Sequence, residues 1–547
     1  MGLDLLITDA RVVDGTGAPW FRGDVGVRDG RIAAVGRLKD AATAARTIDG
    51  QDRALTPGWI DIHTHSDYGV IADPPAECAV RQGSTTHVVG NCGVSAAPIA
   101  DEHRALTAKQ LGEYGHPLPD EWSTYAGYLE AIERRGVGTN IAPLVGHGTV
   151  RLAVLGMQER PPTADELAAM RAHVDEAMRA GCFGMSTGLV YPPGCFGDTD
   201  EVVALAEVAA AHGGLYASHI RGERETIVDA VTECISIGER SGCRVQISHN
   251  CPKYGGWELQ DEVIALWEDA RARGLDVTVD NDLHTDFGPT LAEALPQWTF
   301  GLSTDELVAL LGDPARRAAL KAEILDDRRP AFGPAGLLVH EAFDRIFLAR
   351  CPVHTEFDGL TIAQIAERRG ADPWDAYMDA IVEERNAAMA VFDYISAEQI
   401  ERLLRHPLVM VSSDGWVIPP DARTADPAPY VPCSYGEYPG LIERYVVQRP
   451  VLSLEEAVRK STSMPAAKLG LPDRGLVKPG FAADLLLFEP TRVRDRASDL
   501  WPHDTGFPTY PHDYPEGIDW VLVNGTVAVE EGAFLGALGG RVLRHTG

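Results

Sequence analysis

Long hydrophobic runs, an excess of basic residues and a disulfide-type cysteine pattern are all missing from the sequence. No stretch reaches the ~18 uninterrupted apolar residues of a membrane helix, and Met1-Gly2-Leu3-Asp4 has no basic region typical of a signal peptide. The 49 Lys and Arg residues face 80 Asp and Glu, a formal charge of −31 that repels phosphate backbones. Nine cysteines, an odd number, do not indicate a disulfide framework. We therefore expect a cytoplasmic protein that binds neither nucleic acid nor membrane.

Both ends of the chain read as short strands joined by turns. Apolar runs stop at Asp14-Gly15 and Asp29-Gly30, a pattern typical of hairpins. Residues 483–488 and 521–527 repeat this pattern near the C-terminus. We therefore expect a small β-sandwich domain that both termini form, from residues 1–56 and 472–547.

The middle of the chain alternates between apolar strand candidates and amphipathic helical stretches. Eight such strands predict an α/β fold, a (β/α)₈ TIM-like barrel over residues 57–471, rather than a doubly wound sheet. The interval from His284 to Val409 is too long for one crossover, so we expect a helical insertion at about 285–405, with helices at 304–311 and 314–325. The strand candidates are residues 58–63, 86–89, 141–145, 184–187, 215–219, 245–249, 276–279 and 409–412.

Four histidines stand at the ends of these strand candidates. His63 and His65 lie two apart, so in a strand both point to the same side, although an isolated His-x-His pair also occurs without metal. His219 and His249 each follow a serine at the C-terminal end of an apolar strand. Because catalytic residues of TIM barrels lie at the C-terminal ends of the strands, we expect all four imidazoles at one mouth.

Cys92 and Asp414 complete a set of metal-competent side chains. Cys92 lies between Gly90 and Gly93, which permit close backbone approach, and its alternative role is a small buried apolar residue. Asp414 ends the last strand, where the alternative role is that of a turn residue. Imidazole, thiolate and carboxylate together favour Zn²⁺ over Mg²⁺ or Ca²⁺. Zinc activates water and polarises a carbonyl, and a neighbouring carboxylate can move the proton, as amide hydrolysis requires.

A set of longer motifs carries a family resemblance. They are PGWIDIHTHSD from Pro57, GNCGVS from Gly90, GHGTVR from Gly146, GMSTGLVYPPG from Gly184, LYASHIRGE from Leu215, VQISHN from Val245, SSDG from Ser412 and LVKPGFAADLLLF from Leu476. In this combination and order the chain resembles the N-acyl-D-amino-acid deacylase (D-aminoacylase) branch of the amidohydrolase superfamily, along nearly its whole length.

The resemblance implies a division of the metal ligands. Cys92, His219 and His249 would hold a tight zinc position. His63 and His65 would form a second, weaker position, with Asp414 as adjacent ligand and proton shuttle. Many superfamily members bridge two metals with a carboxylated lysine on the fourth strand. Residues 181–191 contain no lysine and include Ser186, which agrees with a branch in which cysteine takes that place.

Three positions depart from the family pattern. Cys433 replaces the arginine expected to grip the substrate carboxylate, which is not a neutral exchange. The usual lysine two residues after the second zinc histidine is displaced to Lys253, and the family's Tyr-Pro-Tyr reads 282–284, Asp-Leu-His. We expect Lys253 or Arg221 to replace the arginine. The candidates for substrate binding are His147, Tyr191, Arg221, Lys253, His284 and Tyr435, and a structural histidine is the alternative for His147.

The expected reaction is hydrolysis of a linear amide in a small molecule, either an N-acyl-D-amino acid or another acylated amine. Three alternatives remain. They are a cyclic-amide hydrolase of the hydantoinase or dihydropyrimidinase kind, another metal-dependent reaction on the same scaffold, and a non-catalytic scaffold protein. The lysine-free fourth strand counts against the first, and six convergent metal-competent side chains count against the last. The sequence leaves oligomer formation, stereochemical preference and the number of bound zinc ions open.

Overall fold

Strands dominate both ends of the chain, and strands alternate with helices between them. The computed structural model describes residues 2–39, 42–111, 118–288, 290–326, 333–423, 431–497 and 513–546. The strands are β1 (Gly2–Val12), β2 (Phe21–Arg28), β3 (Arg31–Gly36), β4 (Thr43–Asp49), β5 (Ala54–Pro57), β6 (Trp59–Asp61), β7 (Ser84–Val89), β8 (Asn140–Pro143), β9 (Val145–Gly146), β10 (Gly184–Gly188), β11 (Leu215–His219), β12 (Arg244–Ile247), β13 (Val277–Asn281), β14 (Asp286–Phe287), β15 (Ile346–Arg350), β16 (Met389–Asp393), β17 (Val409–Val411), β18 (Leu485–Phe488), β19 (Ile518–Val523), β20 (Thr526–Glu530) and β21 (Ala533–Phe534).

The helices begin where local sequence favours them. Thr163 and Glu166 form a reciprocal capping box at the start of a 17-residue helix, and Ser303 and Glu306 do the same for another. The helices are α1 (Gly69–Ala72), α2 (Glu77–Arg81), α3 (Arg104–Gln110), α4 (Tyr125–Arg135), α5 (His147–Leu155), α6 (Ala164–Ala180), α7 (Thr199–Ala211), α8 (Ile227–Ser241), α9 (Gln260–Ala272), α10 (Thr304–Leu311), α11 (Pro314–Leu325), α12 (Ala335–Val339), α13 (Ile362–Arg369), α14 (Pro373–Glu383), α15 (Ala397–Arg405), α16 (Pro420–Arg423), α17 (Cys433–Gly440), α18 (Leu454–Ser461) and α19 (Ser463–Leu469).

Eight parallel strands form the predicted barrel. β6, β7 and β8 pair in parallel, and β9 to β13 continue in order to β17. β8 and β9 are two halves of one strand, interrupted at Leu144, that pair with different neighbours. The barrel closes where Thr64 bridges Gly415 in parallel and the His65 amide donates to the Gly415 carbonyl at 2.8 Å. The (β/α)₈ prediction is confirmed, and every strand candidate in the middle of the chain overlaps a barrel strand.

The two termini share one sheet. β1 to β5 and β18 to β21 form nine mixed strands, in which β5 pairs antiparallel with β18. β4 and β5 both lie parallel to the same strand, β1, at successive positions, so the sheet branches there. It encloses a separate apolar core that includes Ile7, Val25 and Leu485. The predicted sandwich of both termini is thus one branched sheet, and residues 1, 40–41, 498–512 and 547 of its predicted range lie outside the described residues.

The segment between β13 and β17 contains more than helices. α10 and α11 coincide with the predicted helices 304–311 and 314–325. The segment also contains a three-stranded antiparallel sheet, in the order β14, β16, β15. Ile346, Leu348 and Phe392 are buried there, so alternating apolar residues in β15 and β16 pack against the helices. A purely helical insertion is therefore too simple a description.

None of the helices in the described ranges is both long enough and apolar enough to cross a lipid bilayer.

Candidate metal centre

All six side chains predicted to bind metal meet at the C-terminal mouth of the barrel. Two groups of ligand atoms each lie within 4.8 Å of one another, and both groups contain Cys92. The first group is His63, His65, Cys92 and Asp414, and the second is Cys92, His219 and His249. The shared cysteine places the two groups side by side, as two adjacent metal positions require.

The Cys92 sulfur lies between three imidazoles. Its Sγ atom is 3.3 Å from His63 Nε2, 3.7 Å from His219 Nδ1 and 3.5 Å from His249 Nε2. Burial alone would raise the pKa of this thiol, but the nearby imidazoles hold the pKa well below its usual value. The thiolate is the form of cysteine that binds metal.

Asp414 faces His63 and His65, which follow the first barrel strand, β6. Its Oδ1 atom lies 3.0 Å from His65 Nε2 and 3.3 Å from His63 Nε2. Burial would raise the pKa of this carboxyl, but the imidazoles hold the pKa well below its usual value. The same Oδ1 atom is buried and accepts no hydrogen bond from the described residues. A charged oxygen in this state is costly unless a further positive group faces it.

Three of the ligands have a left-handed backbone. The φ angles of Cys92, His249 and Asp414 are 49°, 32° and 52°, which residues other than glycine rarely adopt. Each of these residues follows the end of a barrel strand, where the chain leaves the ladder and turns its side chain into the mouth. Such conformations persist where the surrounding structure enforces them, and they concentrate at functional sites.

Ser186 in β10 supports the loop that carries Cys92. Its Oγ atom accepts the Gly93 amide at 3.0 Å and donates to the Gly90 carbonyl. A Cβ atom at Gly188 would lie 2.1 Å from the Cys92 carbonyl oxygen, so only glycine lets the loop approach this closely. Other superfamily members are expected to carry a lysine on this fourth barrel strand. Here the strand supplies Ser186, whose hydrogen bonds hold the loop of Cys92 in place.

Two buried carboxylates that the sequence analysis did not single out orient the histidines. Asp280 Oδ1 lies 3.3 Å from His63 Nδ1 and accepts the His249 amide at 3.0 Å. Its position is fixed by hydrogen bonds from Ser412 Oγ at 3.0 Å and Gln246 Nε2 at 2.6 Å. Asp280 lies near the C-terminal end of the buried barrel strand β13, where the catalytic residues of TIM barrels lie, and this position is the signal that could have found it.

Glu223 is the second of these carboxylates. Its Oε1 atom lies 3.5 Å from His219 Nε2 and 3.9 Å from His249 Nδ1, on the ring nitrogens that face away from Cys92. Its Oε2 atom accepts the Gly333 amide at 2.9 Å. Carboxylates in this position fix the tautomer and orientation of histidines that bind metal. Glu223 follows His219 by four positions, within the motif LYASHIRGE. Its position in the sequence could therefore have indicated a role beside His219.

A cavity of about 530 Å³ opens beside the ligands. Three of the predicted substrate-binding residues, Tyr191, Lys253 and His284, lie in its wall, and so does Cys433. The Tyr191 ring lies edge-on to His219, with 4.9 Å between the ring centroids. Apolar side chains cover the outer part of the wall, among them Leu106, Met157 and Phe300.

The other three predicted substrate-binding residues lie outside this wall. His147 is fully buried, and its Nε2 lies 2.8 Å from Glu201 Oε1, as expected of the structural alternative. The Arg221 guanidinium contacts Glu233 at 3.0 Å, so it does not stand in for the missing arginine. Tyr435 is fully buried and packs against Tyr514, with 5.6 Å between their rings.

The donor set fits a zinc ion. Imidazole nitrogens and a thiolate are the ligands that Zn²⁺ prefers, and hard cations such as Mg²⁺ prefer oxygen. The buried Oδ1 atom of Asp414 and the crowded Cys92 sulfur both gain from a cation between the groups. The residues present therefore satisfy the requirements of a metal centre without rearrangement of the fold.

Comparison with known proteins identifies the family of the chain. Residues 46–528 match the amidohydrolase family. The chain is 32% identical to a D-aminoacylase of Alcaligenes xylosoxydans xylosoxydans over 547 residues, which cover 99% of this chain and 98% of that protein. It is 35% identical to an N-acyl-D-glutamate deacylase of the same organism over 527 residues, 96% of this chain and 93% of that protein.

A solved structure shares the whole fold. It is the N-acyl-D-glutamate deacylase of Bordetella bronchiseptica in complex with zinc and a phosphonate inhibitor that mimics the tetrahedral intermediate of the reaction. The TM-score is 0.77 and the sequence identity 32%, and the match covers 100% of both chains.

Proposed function

Since the chain belongs to the D-aminoacylase branch of the amidohydrolase family, we propose that it is a zinc-dependent enzyme that hydrolyses the linear amide bond of N-acyl-D-amino acids. Relatives with 32% and 35% identity over nearly the full chain are named for this reaction. The observation that carries the proposal is the Cys92 thiolate, which three imidazoles surround next to Asp414.

We assign the ligands as the geometry groups them. Cys92, His219 and His249 would hold the tight zinc ion, and His63, His65 and Asp414 would contribute a second, weaker position next to it. Zinc bound here would lower the pKa of a water molecule toward ~7 and polarise the scissile carbonyl group.

Asp414 serves as the proton shuttle. Its carboxylate Oδ1 faces the mouth between His63 and His65 and is ionised, so it can accept the proton of the attacking water. The same oxygen then delivers that proton to the leaving nitrogen, which departs as an amine. Asp280 and Glu223 keep the imidazoles in place and do not contact the reacting atoms.

We assign the binding of the substrate carboxylate to the Lys253 ammonium group. It lines the cavity, where Cys433 stands in place of the expected arginine. Its side chain is buried, and its Nζ makes no hydrogen bond or ion pair within 4.0 Å in the described ranges. Burial would lower the pKa of this ammonium group, but Glu223 and Asp282 keep the pKa above its usual value. A charged ammonium group that is buried in the cavity wall, with no hydrogen-bond or ion-pair partner among the described residues, favours binding of an anion.

The loop that carries Cys92 favours a linear amide over a cyclic amide as the substrate. The hydantoinase alternative expects a lysine on the fourth barrel strand, but β10 offers Ser186, which is engaged with Gly90 and Gly93. Cys92 then takes the central position between the two ligand groups.

The test is the variant Asp414→Asn, which keeps the shape of the side chain and removes its charge. We expect kcat on N-acetyl-D-methionine to fall by at least about 100-fold, the usual contribution of general acid–base catalysis, while the protein still binds zinc through Cys92, His219 and His249. Zinc content by elemental analysis and kcat are measured on the same sample. Normal turnover with normal zinc content would exclude Asp414 as the shuttle.

Two further expectations belong to this proposal. The chain is divided into a terminal β domain of residues 1–56 and 472–547 and a barrel domain of residues 57–471. All nine cysteines are free, which supports a reducing compartment such as the cytoplasm.

A further inference from the structure

The charges of the cavity wall are arranged in an unusual way for an enzyme whose substrate is an anion. Among the described residues of the wall there is no arginine. The ammonium groups are those of Lys109 and Lys253. Beyond the metal ligand Asp414 and the orienting residue Glu223, three carboxylates line the same space, those of Asp282, Asp286 and Glu293.

Asp282 is the carboxylate of these three that follows a barrel strand directly. Its side chain is about nine-tenths buried, at 9% exposure, and it lines the cavity directly after β13, close to the ligands. Its Oδ1 atom accepts the backbone amide of His284 at 3.1 Å, the one hydrogen bond to this carboxylate within the described ranges. Burial raises the pKa of this carboxyl although Lys253 lowers it, so the ionised form gains from any further cation.

Lys253 and Asp282 share the cavity but do not pair. In the part of the chain that the structure describes, no carboxylate oxygen lies within 4.0 Å of Lys253 Nζ, and no cationic nitrogen lies within 4.0 Å of Asp282. The ring centroid of Tyr394 lies 5.5 Å from Lys253 Nζ. Two buried groups of opposite charge that line one cavity without pairing favour a ligand that carries both charges.

We propose that the substrate is an N-acyl-D-amino acid whose side chain is cationic. Its carboxylate binds Lys253, and its amine or guanidinium group faces Asp282 and the other two wall carboxylates, Asp286 and Glu293. This inference rests on the proposed function and specifies the substrate class of the same site. A substrate of this kind has no net charge. It adds one cation to the three carboxylates, whereas a second carboxylate on the substrate would be repelled.

The experiment uses the zinc-loaded full chain and three probes. N-acetyl-D-arginine and N-acetyl-D-citrulline have the same length and differ in side-chain charge, and N-acetyl-D-glutamate carries an additional negative charge. We expect kcat/KM for the arginine derivative to exceed that for the citrulline derivative by at least about tenfold, since a charge-assisted pair contributes more than a neutral one. The glutamate derivative should be the poorest of the three.

The variant Asp282→Asn tests the assignment. The ratio of kcat/KM between the arginine and citrulline derivatives should fall by at least about tenfold, toward unity. The matched control Glu258→Gln removes a charge from an exposed position outside the cavity and should leave the ratio unchanged. Zinc content and thermal midpoint of each variant are measured alongside, to detect a misfolded protein.

A second measurement needs no variant. Inhibition of the wild-type enzyme by free D-arginine should be at least about tenfold tighter than inhibition by D-citrulline, for the same reason. Turnover of neutral N-acyl-D-amino acids with no preference for the arginine derivative and no difference in inhibition would overturn this inference and leave the proposed function intact. No turnover of any N-acyl-D-amino acid by the zinc-loaded enzyme would overturn both.

Discussion

The Asp280 carboxylate lies 3.3 Å from Nδ1 of His63, while Nε2 of the same ring faces Cys92 at 3.3 Å. The imidazole is thus held between a carboxylate on one side and the metal-binding thiolate on the other. Because Asp280 also accepts the His249 amide, one side chain sets the position of a ligand in each of the two groups. The metal centre therefore depends on a residue that does not itself belong to either ligand group.

Replacing Asp280 by asparagine should weaken metal binding. The amide keeps the volume but cannot accept from both His63 and the His249 amide with the strength of a carboxylate. Loss of such a partner typically costs 10–100-fold in metal affinity or activity, and we expect about that loss in zinc affinity. Titration against a chromophoric chelator measures it. The control Asp200→Asn changes an exposed aspartate on α7 and should bind zinc as the wild type does.

Glu223→Gln should affect the group formed by Cys92, His219 and His249. Glu223 Oε1 faces the outer nitrogens of both histidines, and a neutral amide no longer favours the tautomer that presents the other nitrogen to metal. We expect about tenfold weaker binding of Co²⁺ in place of Zn²⁺, followed through the thiolate-to-cobalt absorption band. An unchanged titration curve would show that Glu223 has no part in orienting the two histidines.

The convergence of the candidate ligands on one mouth could be predicted because their positions follow from strand geometry. His63 and His65 are two apart, and His219, His249 and Asp414 stand at the ends of apolar strands, so a barrel must bring them to one mouth. Asp280 and Glu223 were harder to assign, since their role depends on which histidine each one reaches in the folded chain. The acidic Asp280 near the C-terminal end of a barrel strand was nonetheless visible in the sequence.

The substrate-binding candidates that lie outside the cavity wall are side chains whose partners lie on other elements. Arg221 follows a barrel strand, as a cavity residue would, but Glu233 on α8 captures its guanidinium group. His147 is held in the same way by Glu201 on α7. The strands of the insertion were missed because β15 and β16 become a sheet only by pairing with each other across a segment that contains α13 and α14.

Ser186→Ala should loosen the cysteine loop. The variant leaves the buried Gly93 amide and Gly90 carbonyl without the Ser186 hydroxyl, which costs about 1–3 kcal/mol for an unsatisfied buried group. We expect lower stability in urea and a lower zinc content. The control Ser84→Ala removes a buried hydroxyl at the start of β7, away from the loop, and should retain full zinc content. Full zinc content in Ser186→Ala would mean that the loop keeps its conformation without the hydrogen bonds of Ser186.

Lys468 should make stability depend on pH between about 7 and 10.5. It is buried on α19, where its Nζ donates to the Asp276 carbonyl at 2.9 Å, and burial lowers its pKa from 10.5 to about 7. In this window the unfolded chain binds a proton that the folded chain does not. The free energy of unfolding therefore rises with pH there, and Lys468 lowers stability most below pH 7.

Lys468→Met removes this proton linkage. The slope of the free energy of unfolding between pH 7.5 and 9.5 should decrease by up to about 1.4 kcal/mol per pH unit, the value for one proton. Urea unfolding at several pH values measures the slope, and the control Lys478→Met alters an exposed lysine and should leave it unchanged. The variant also loses the hydrogen bond to Asp276, but that loss shifts the whole curve and does not change its slope. An unaltered slope would therefore mean that Lys468 remains charged in the folded protein.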